Sequence, residues 1–462
     1  MKNNLYDTIA AISTPAGEGG ISVLRLSGEN AFSLTEKVFS KDNSGIKKID
    51  FQKTASHTIH FGYIFDNADI TELIDEVLIS VFKGPNSYTG ENVVEISSHG
   101  GFYIAQKILS VLINAGARHA EPGEFTKRAF LNGRIDLSQA EAVADLIKAK
   151  TDSAHSSSIK QLEGALSEFA HKTRQEIINI TSLVELELDF AEEGLEFVKA
   201  DDIKSLITNL NSKLRRITES YIAGKVIRDG VNLVIAGKPN SGKSSLFNYL
   251  LNKNRAIVSS VAGTTRDYIE ENIIINGVLF NLTDTAGLRS SDDEIESEGI
   301  RRSFSKIDEA DMILYLTDSS EDEKFIEDDI ANFENNFEKE RSVLVFSKCD
   351  LKKVSSDKGT GVSLLNEETL ENLKRLMSDK VKSAFIPFSK DEIVLTNIRH
   401  KFCLENVIRS LEEAITSVEN KMSGEFISVD LRNALNHLGE ITGEVTNDTI
   451  LNNIFMNFCI GK

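Results

Sequence analysis

Residues Gly237-Lys238-Pro239-Asn240-Ser241-Gly242-Lys243-Ser244 fit the pattern G-x-x-x-x-G-K-[ST], which constrains its surroundings more than any other stretch of the chain. The pattern works only between a strand and a helix. Both neighbours are readable: Leu233-Val234-Ile235-Ala236 is an apolar strand-like run, and Ser245-Leu246-Phe247-Asn248-Tyr249-Leu250-Leu251 opens a helix. Glycines let backbone N–H groups curl around phosphate oxygens. The helix N-terminus adds its dipole. Lys243 is then placed to reach the β/γ-phosphates of a nucleotide, and Ser244 to bind Mg²⁺.

The texture around this motif alternates. Between about residues 230 and 390, strand-like runs (Val231 to Ala236, Leu279 to Leu282, Met312 to Leu316, Val343 to Phe346) are separated by longer polar-apolar segments. That order predicts β-α units and a parallel sheet. On either side the pattern is helical. No proline falls between Pro122 and Pro239, and Ala140, Val143, Ala144, Ile147, then Leu162, Leu166 and Phe169, recur at helical spacing. The same period returns in Leu404, Val407, Ile408, Leu411 and Ile415. The first 120 residues differ again, with short runs such as Ile21 to Leu24 and Val77 to Phe82 broken by glycine and proline, and a helical pattern from Ala105 to Ala115. The expectation is an α+β domain over 1–122, a discontinuous helical domain over 123–228 and 391–462, and an inserted α/β domain over 229–390. Three consecutive domains with a separate helical tail is the alternative arrangement.

Two further elements separate GTP from ATP. Gly263-Thr264-Thr265-Arg266-Asp267 follows about one helix and a loop downstream, where Thr265 can complete a magnesium shell. Asp284-Thr285-Ala286-Gly287 follows the strand Leu279 to Leu282; Asp284 can hold Mg²⁺ through water, and Gly287 can offer its N–H to the γ-phosphate. In that order and spacing they predict a Ras-like P-loop G domain. The base-reading element departs from Asn-Lys-x-Asp: Val343 to Phe346 is followed by Ser347-Lys348-Cys349-Asp350. Asp350 can accept the guanine N1–H and N2–H, a charge-assisted pair of about 1.5–3 kcal/mol. Phe388-Ser389-Lys390 departs from Ser-Ala-Lys as well. Leu288 stands where Ras-like proteins carry a water-orienting glutamine; Arg289, Asp292, Asp293, Glu294 and Glu296 are nearby candidates for that task.

Composition bounds the partners. Lys plus Arg is 52 and Asp plus Glu 71, so 52 − 71 leaves −19. An acidic chain repels nucleic acid overall, so an RNA partner must dock on a local basic patch or be shared with a basic protein. Cys349, Cys403 and Cys459 have no short paired spacing, which suggests neither a disulfide framework nor a zinc site. The first residues lack an apolar core of signal-peptide length, and no run approaches the ~20 residues that span a membrane. A reduced cytoplasmic protein without membrane association is the expectation.

Several stretches carry a family resemblance: Asp7 to Ala11, Gly84-Pro85-Asn86-Ser87-Tyr88-Thr89-Gly90-Glu91, Pro122 to Gly133, Asp136 to Ala142, Leu438 to Glu444, and Asn457-Phe458-Cys459-Ile460-Gly461-Lys462. Together with the G motifs they cover essentially the whole chain, which resembles the MnmE (TrmE) family of tRNA-modification GTPases. The resemblance implies a homodimer that works with the FAD- and NADH-using MnmG (GidA) in a heterotetramer or larger. Such proteins install an aminomethyl or carboxymethylaminomethyl group at C5 of the wobble uridine, position 34, of certain tRNAs. It implies an N-terminal domain that binds 5-formyltetrahydrofolate or a related one-carbon folate. Arg25, Glu95, Arg134 and Lys462 match its contacts; where Arg134 stands the family can show lysine, cationic but of different geometry.

The resemblance also implies activation by K⁺ between facing G domains. Its matching ligands are the Asn240 side chain and the main-chain carbonyls of Ser259 and Val261, with Thr264 close by. The water-orienting glutamate falls on Glu296. The stretch Ser259-Ser260-Val261-Ala262-Gly263-Thr264-Thr265 joins Asn240 to Ser245, Asp284 to Gly287, and Ser347, Lys348 and Asp350 in the GTP site. Cys459 reads as inert packing beside Phe458 and Ile460, whereas the resemblance implies a cysteine needed for tRNA modification but not for GTP hydrolysis. His99 either touches folate or fills a turn; the turn is favoured. The alternative function is a ribosome-assembly GTPase acting as an RNA-binding switch; a folate enzyme with a vestigial G domain is a third.

Overall fold

A computed structural model describes residues 7–66, 72–190, 199–254, 270–283, 307–352, 358–385, 392–456 and 458–461. The chain divides into two compact units: 1–144 with 161–175 and 435–462, and 145–160 with 176–434.

The first unit is α+β. Its strands are β1 Ile9–Ile12, β2 Ile21–Ser27, β3 Phe39–Ser40, β4 Thr58–Phe65, β5 Leu73–Phe82, β6 Val93–His99 and β7 Arg118–His119. They form one sheet in the order β3-β4-β5-β6-β2-β1-β7, antiparallel except for β1 and β7. β5 alternates: Asp75, Val77, Ile79 and Val81 point inward while Glu76 and Leu78 point out. Val77, Ile79 and Val81 pack with helices Ala31–Val38 and Phe102–Ala115 around Phe32, Phe39, Leu26 and Ile96. Helix Phe102–Ala115 begins three residues before the apolar period that predicts it.

The second unit holds the α/β sheet: β8 Val231–Gly237, β9 Glu270–Ile275, β10 Val278–Thr283, β11 Met312–Asp318, β12 Ser342–Ser347 and β13 Thr360–Val362. The order is β13-β12-β11-β8-β10-β9, parallel except for the β9-β10 hairpin. Every residue of β11 is buried, as expected of a parallel strand covered on both faces. Helices Lys243–Asn254 and Glu367–Phe385 contribute Leu246, Leu250, Leu373 and Met377 to one core, and Glu323–Asn336 contributes Ile326 and Phe333 to the other.

The helical segments flanking this sheet in sequence pack together. Helix Ala200–Glu219 lies against Ile398–Glu419, and Lys204 pairs with Glu419 at 2.8 Å. The Leu395 N–H donates to the Ser220 hydroxyl at 3.0 Å, and a Cβ on Gly224 would overlap the Leu395 carbonyl. The fold is thus an α+β N-terminal domain, a helical domain discontinuous in sequence, and an inserted P-loop domain. One expectation needs correction: Leu162 and Leu166 do not share a helix. Gly164, at φ +94, separates helix Asp152–Leu162 from Ala165–Phe190. Among the described residues no helix is long and apolar enough to cross a membrane.

Candidate functional site

In a parallel sheet, functional groups collect where the carboxyl ends of the strands meet the following loops. β8, β10, β11 and β12 all end on one edge, and the sequence motifs follow them. Gly237 closes β8 at φ +138, and a Cβ there would overlap the Leu316 carbonyl on β11. Asn240 and Gly242 also take positive φ, +65 and +91, so the loop turns tightly before the helix that Lys243 begins. Positive φ suits glycine and, less readily, asparagine. The Lys243 ammonium donates to the carbonyls of Gly237 at 2.9 Å and Lys238 at 2.6 Å, which folds it across the mouth of the loop. Ser244 and Ser245 lie exposed in the first helical turn, and Asn240 is exposed. Ser241 is buried, with no hydrogen-bond partner for its hydroxyl among the described residues. These are the donors and the helix end that a nucleotide phosphate requires. Ser244 is an oxygen ligand of the kind Mg²⁺ takes.

The loop expected to read the base comes to the same place. Ser347 ends β12, and a Cβ built on Gly242 would sit 3.7 Å from the Ser347 Cβ. Lys348 follows at φ +56, Cys349 anchors by its N–H on the Val362 carbonyl at 3.3 Å, and Asp350 is exposed. Burial and the Asp350 charge push the Cys349 thiol up, which suits inert packing. Cys403 is buried. Ser259, Ser260, Val261, Ala262, Gly263, Thr264, Thr265, Asp284, Thr285, Ala286, Gly287, Glu296, Lys462 and the Phe388-Ser389-Lys390 stretch lie outside the described residues.

The second cluster is in the first unit. Register pairs Arg25 on β2 with Glu95 on β6. The Arg25 Nε donates to Glu95 Oε1 at 2.9 Å, and the guanidinium lies over the Tyr88 ring at 4.9 Å and near Phe125 at 5.7 Å. Tyr88 and Phe125 carry no charge, and sequence reasoning missed them as parts of the site, although both lie in stretches that carry the family resemblance. The Tyr88 hydroxyl pairs with that of Thr126 at 2.8 Å, and the Asn132 amide donates to the Thr89 carbonyl at 2.7 Å. Arg134 is exposed. A guanidinium, a carboxylate and two aromatic faces form a set that suits a flat heteroaromatic ligand with polar edges.

Cys459 belongs to a segment docked on this unit. Phe458 packs on Phe455 and Leu137, the Ser13 hydroxyl donates to the Gly461 carbonyl at 3.0 Å, and the Gly123 N–H reaches the Cys459 carbonyl at 3.4 Å. Ser13 follows Ile12 at the end of β1, whose Ala11 stands opposite Arg25. Packing accounts for Phe458; Cys459 itself is exposed. Gly461 sits at φ +95 with no room for a Cβ beside the Ile12 carbonyl. Gly461→Ala is therefore expected to release the segment, read as faster amide hydrogen exchange over 456–461; unchanged exchange contradicts the docking. His99, expected to fill a turn, instead ends β6. Its Nδ1 and the Asp75 carboxylate are 2.6 Å apart, and hydrogen bonding to Asp75 raises the imidazole pKa above its ordinary value.

A family model described as the MnmE helical domain matches residues 137–459, and one described as the GTP-binding protein TrmE N-terminus matches residues 8–134. The tRNA modification GTPase MnmE of Flavobacterium johnsoniae is 41% identical over 476 residues, spanning 99% of this chain and 99% of its own. The protein of the same name from Clostridioides difficile is 43% identical over 466 residues, again 99% of each chain. Among solved structures, the G domain of the T. maritima FeoB iron transporter aligns with 33% of this chain and 98% of its own, at 25% identity and a TM-score of 0.25.

Proposed function

Because this chain belongs to the MnmE family of tRNA-modification GTPases, we propose that it is a K⁺-activated GTPase whose cycle drives modification of C5 of the wobble uridine of certain tRNAs. The observation that carries this reading is the loop of Asn240, Gly242 and Lys243 beside Ser347, built at the carboxyl edge of a parallel sheet. Lys243 neutralises charge on the β/γ-phosphates, the loop amides bind their oxygens, and Asp350 accepts from guanine. Ser244 and Thr265 would hold Mg²⁺, which when bound would supply charge stabilisation at the phosphates. Asn240 offers its side-chain oxygen to K⁺ alongside Ser259, Val261 and Thr264, and Glu296 orients the attacking water.

The finer biology is proposed on the same footing. Residues 1–122 form the dimerising and folate-binding domain, 123–228 and 391–462 the helical domain, and 229–390 the G domain. Arg25, Glu95, Arg134 and Lys462 hold 5-formyltetrahydrofolate or a related one-carbon folate. Cys459, exposed near the end of the helical domain, serves the modification step. The exposed pair Phe61 and Leu78, directly opposite on β4 and β5 with Ile59 on the same face, supports a homodimer through this domain. An FAD-dependent MnmG partner, in a heterotetramer or larger, supplies most contacts to tRNA phosphates, as the −19 charge favours.

The test is GTP hydrolysis in KCl against NaCl. We expect activity at least about tenfold higher in K⁺, and Asn240→Ala to lose most of that difference. Equal rates in the two salts sink the cation mechanism.

A further inference from the structure

We propose that Asp318 is the positioning residue of the guanine-reading loop, holding by side-chain contacts the shape that an asparagine at position 347 would otherwise fix. The inference rests on Asp350 as the guanine reader. β11 and β12 run parallel with Asp318 directly beside Ser347. Asp318 is 8% exposed, and its carboxylate is fully engaged. Oδ1 accepts from the Ser320 N–H at 2.9 Å and the Ser320 hydroxyl at 2.6 Å, and Oδ2 accepts from the Lys348 ammonium. Burial alone would push this carboxyl up; the hydrogen bonds from Lys348 and Ser320 outweigh it and hold the group below its ordinary range, ionised at neutral pH.

The loop needs such a support. Lys348 has φ +56, a region that residues other than glycine rarely occupy, and it lies two residues before Asp350. The direction of Asp350 therefore depends on holding Lys348 there. Ser347 cannot do so from its side chain: its hydroxyl donates sideways to the Thr317 carbonyl at 3.3 Å, and a hydroxyl offers fewer bonds than an amide. Ser319 supplies the second fixing point. Fully buried, it donates from both its N–H, at 3.0 Å, and its hydroxyl, at 2.6 Å, to the Ser347 carbonyl. That carbonyl belongs to the peptide leading into Lys348. The turn Asp318-Ser319-Ser320 thus grips the loop on both sides of the Ser347–Lys348 bond, through two neutral hydrogen bonds from Ser319 on one side and the charge-assisted Asp318–Lys348 contact, of the stronger class, on the other.

The experiment measures binding of GTP, ITP and XTP to the full chain, with steady-state hydrolysis alongside. ITP lacks the 2-amino group that Asp350 accepts. Asp318→Asn keeps the size but loses the charge. It is expected to weaken GTP about tenfold, the worth of one charge-assisted contact, and to raise KM while kcat at saturation stays within about twofold. The preference for GTP over ITP falls with it. Asp318→Asn combined with Ser347→Asn is expected to regain that preference. A fold defect would depress GTP and ITP alike, so an unchanged GTP/ITP ratio in Asp318→Asn overturns the proposal, as does failure of the double variant to recover. Asp350→Asn separates the two layers. If it keeps the preference for GTP over both ITP and XTP, Asp350 is not the reader and the base-site reading itself fails. If it loses that preference while Asp318→Asn behaves as the parent chain, only the role of Asp318 is overturned.

Discussion

Lys243→Ala is expected to lower GTP hydrolysis about 10²- to 10³-fold, the scale of removing one preorganised charge stabiliser from a transition state. Its unfolding midpoint should scarcely move. The ammonium is half-buried and donates to two main-chain carbonyls, of Gly237 and Lys238, at the rim of the loop. Partly exposed to water at the rim, such contacts are worth on the order of 1 kcal/mol, at the low end for a charged donor. The two readouts must therefore part: hydrolysis collapses while thermal unfolding stays near that of the parent. Nucleotide affinity should fall less than the rate, because Lys243 acts most strongly on charge that develops in the transition state. Hydrolysis within about threefold of the parent would remove Lys243, and with it the P-loop reading, from the mechanism.

The elements of this site were legible to different degrees, for physical reasons. β8 and its helix could be read because phosphate binding fixes residue type at fixed spacing over eight positions. β11 and β12 could be read because strands buried on both faces become continuous apolar runs. The β9-β10 hairpin carries a local signal of its own. Its turn, Asn276-Gly277, has both residues at positive φ, +50 and +81, the geometry that favours an Asn-Gly pair between strands. Gly164 was likewise a visible break inside an otherwise helical period. What no local pattern could supply was pairing across the sheet. Arg25 meets Glu95 across 70 residues because two strands adopt one register, and Lys348 meets Asp318 across 30. A register slip of one residue would send those side chains to opposite faces. Motifs therefore named the residues proposed to meet the ligand, but not those that hold them in place. His99 illustrates the limit: its Ser-His-Gly-Gly context resembles a turn, yet the partner that fixes it, Asp75, is on β5.

The same limit hid a buried cation shared among three carboxylates in the first unit, and it carries the largest stability effect we expect. Arg128, in helix Glu124–Leu131, has a side chain only 3% exposed. It donates to the Asp7 carbonyl at 2.8 Å, the Asp7 carboxylate at 2.7 Å, Glu124 at 3.1 Å and Glu91 at 3.2 Å. Arg118 shares Asp7 and Glu124, each at 2.6 Å, and the Ser27 hydroxyl donates to Glu91 at 2.6 Å. Arg128→Met fills much of the volume but leaves three carboxylates around one remaining guanidinium. Removing one partner from a buried network costs about 3–5 kcal/mol, because the charges left behind stay desolvated. The full chain should show an earlier unfolding transition in denaturant, by that amount, with GTP hydrolysis retained. Acid should reveal the same network. Burial raises Asp7 and Glu124, but the hydrogen bonds and charges of Arg118 and Arg128 outweigh it and hold both below the ordinary carboxylate range. Their contribution is therefore present above the unfolded pKa values, near 4, and is lost as pH falls through the lower folded values. In Arg128→Met the depression shrinks, so the parent's stability should decline more steeply below about pH 4 than the variant's. Two curves that stay parallel in acid, or a loss of less than about 1 kcal/mol, would mean that these contacts do not set the stability of the unit.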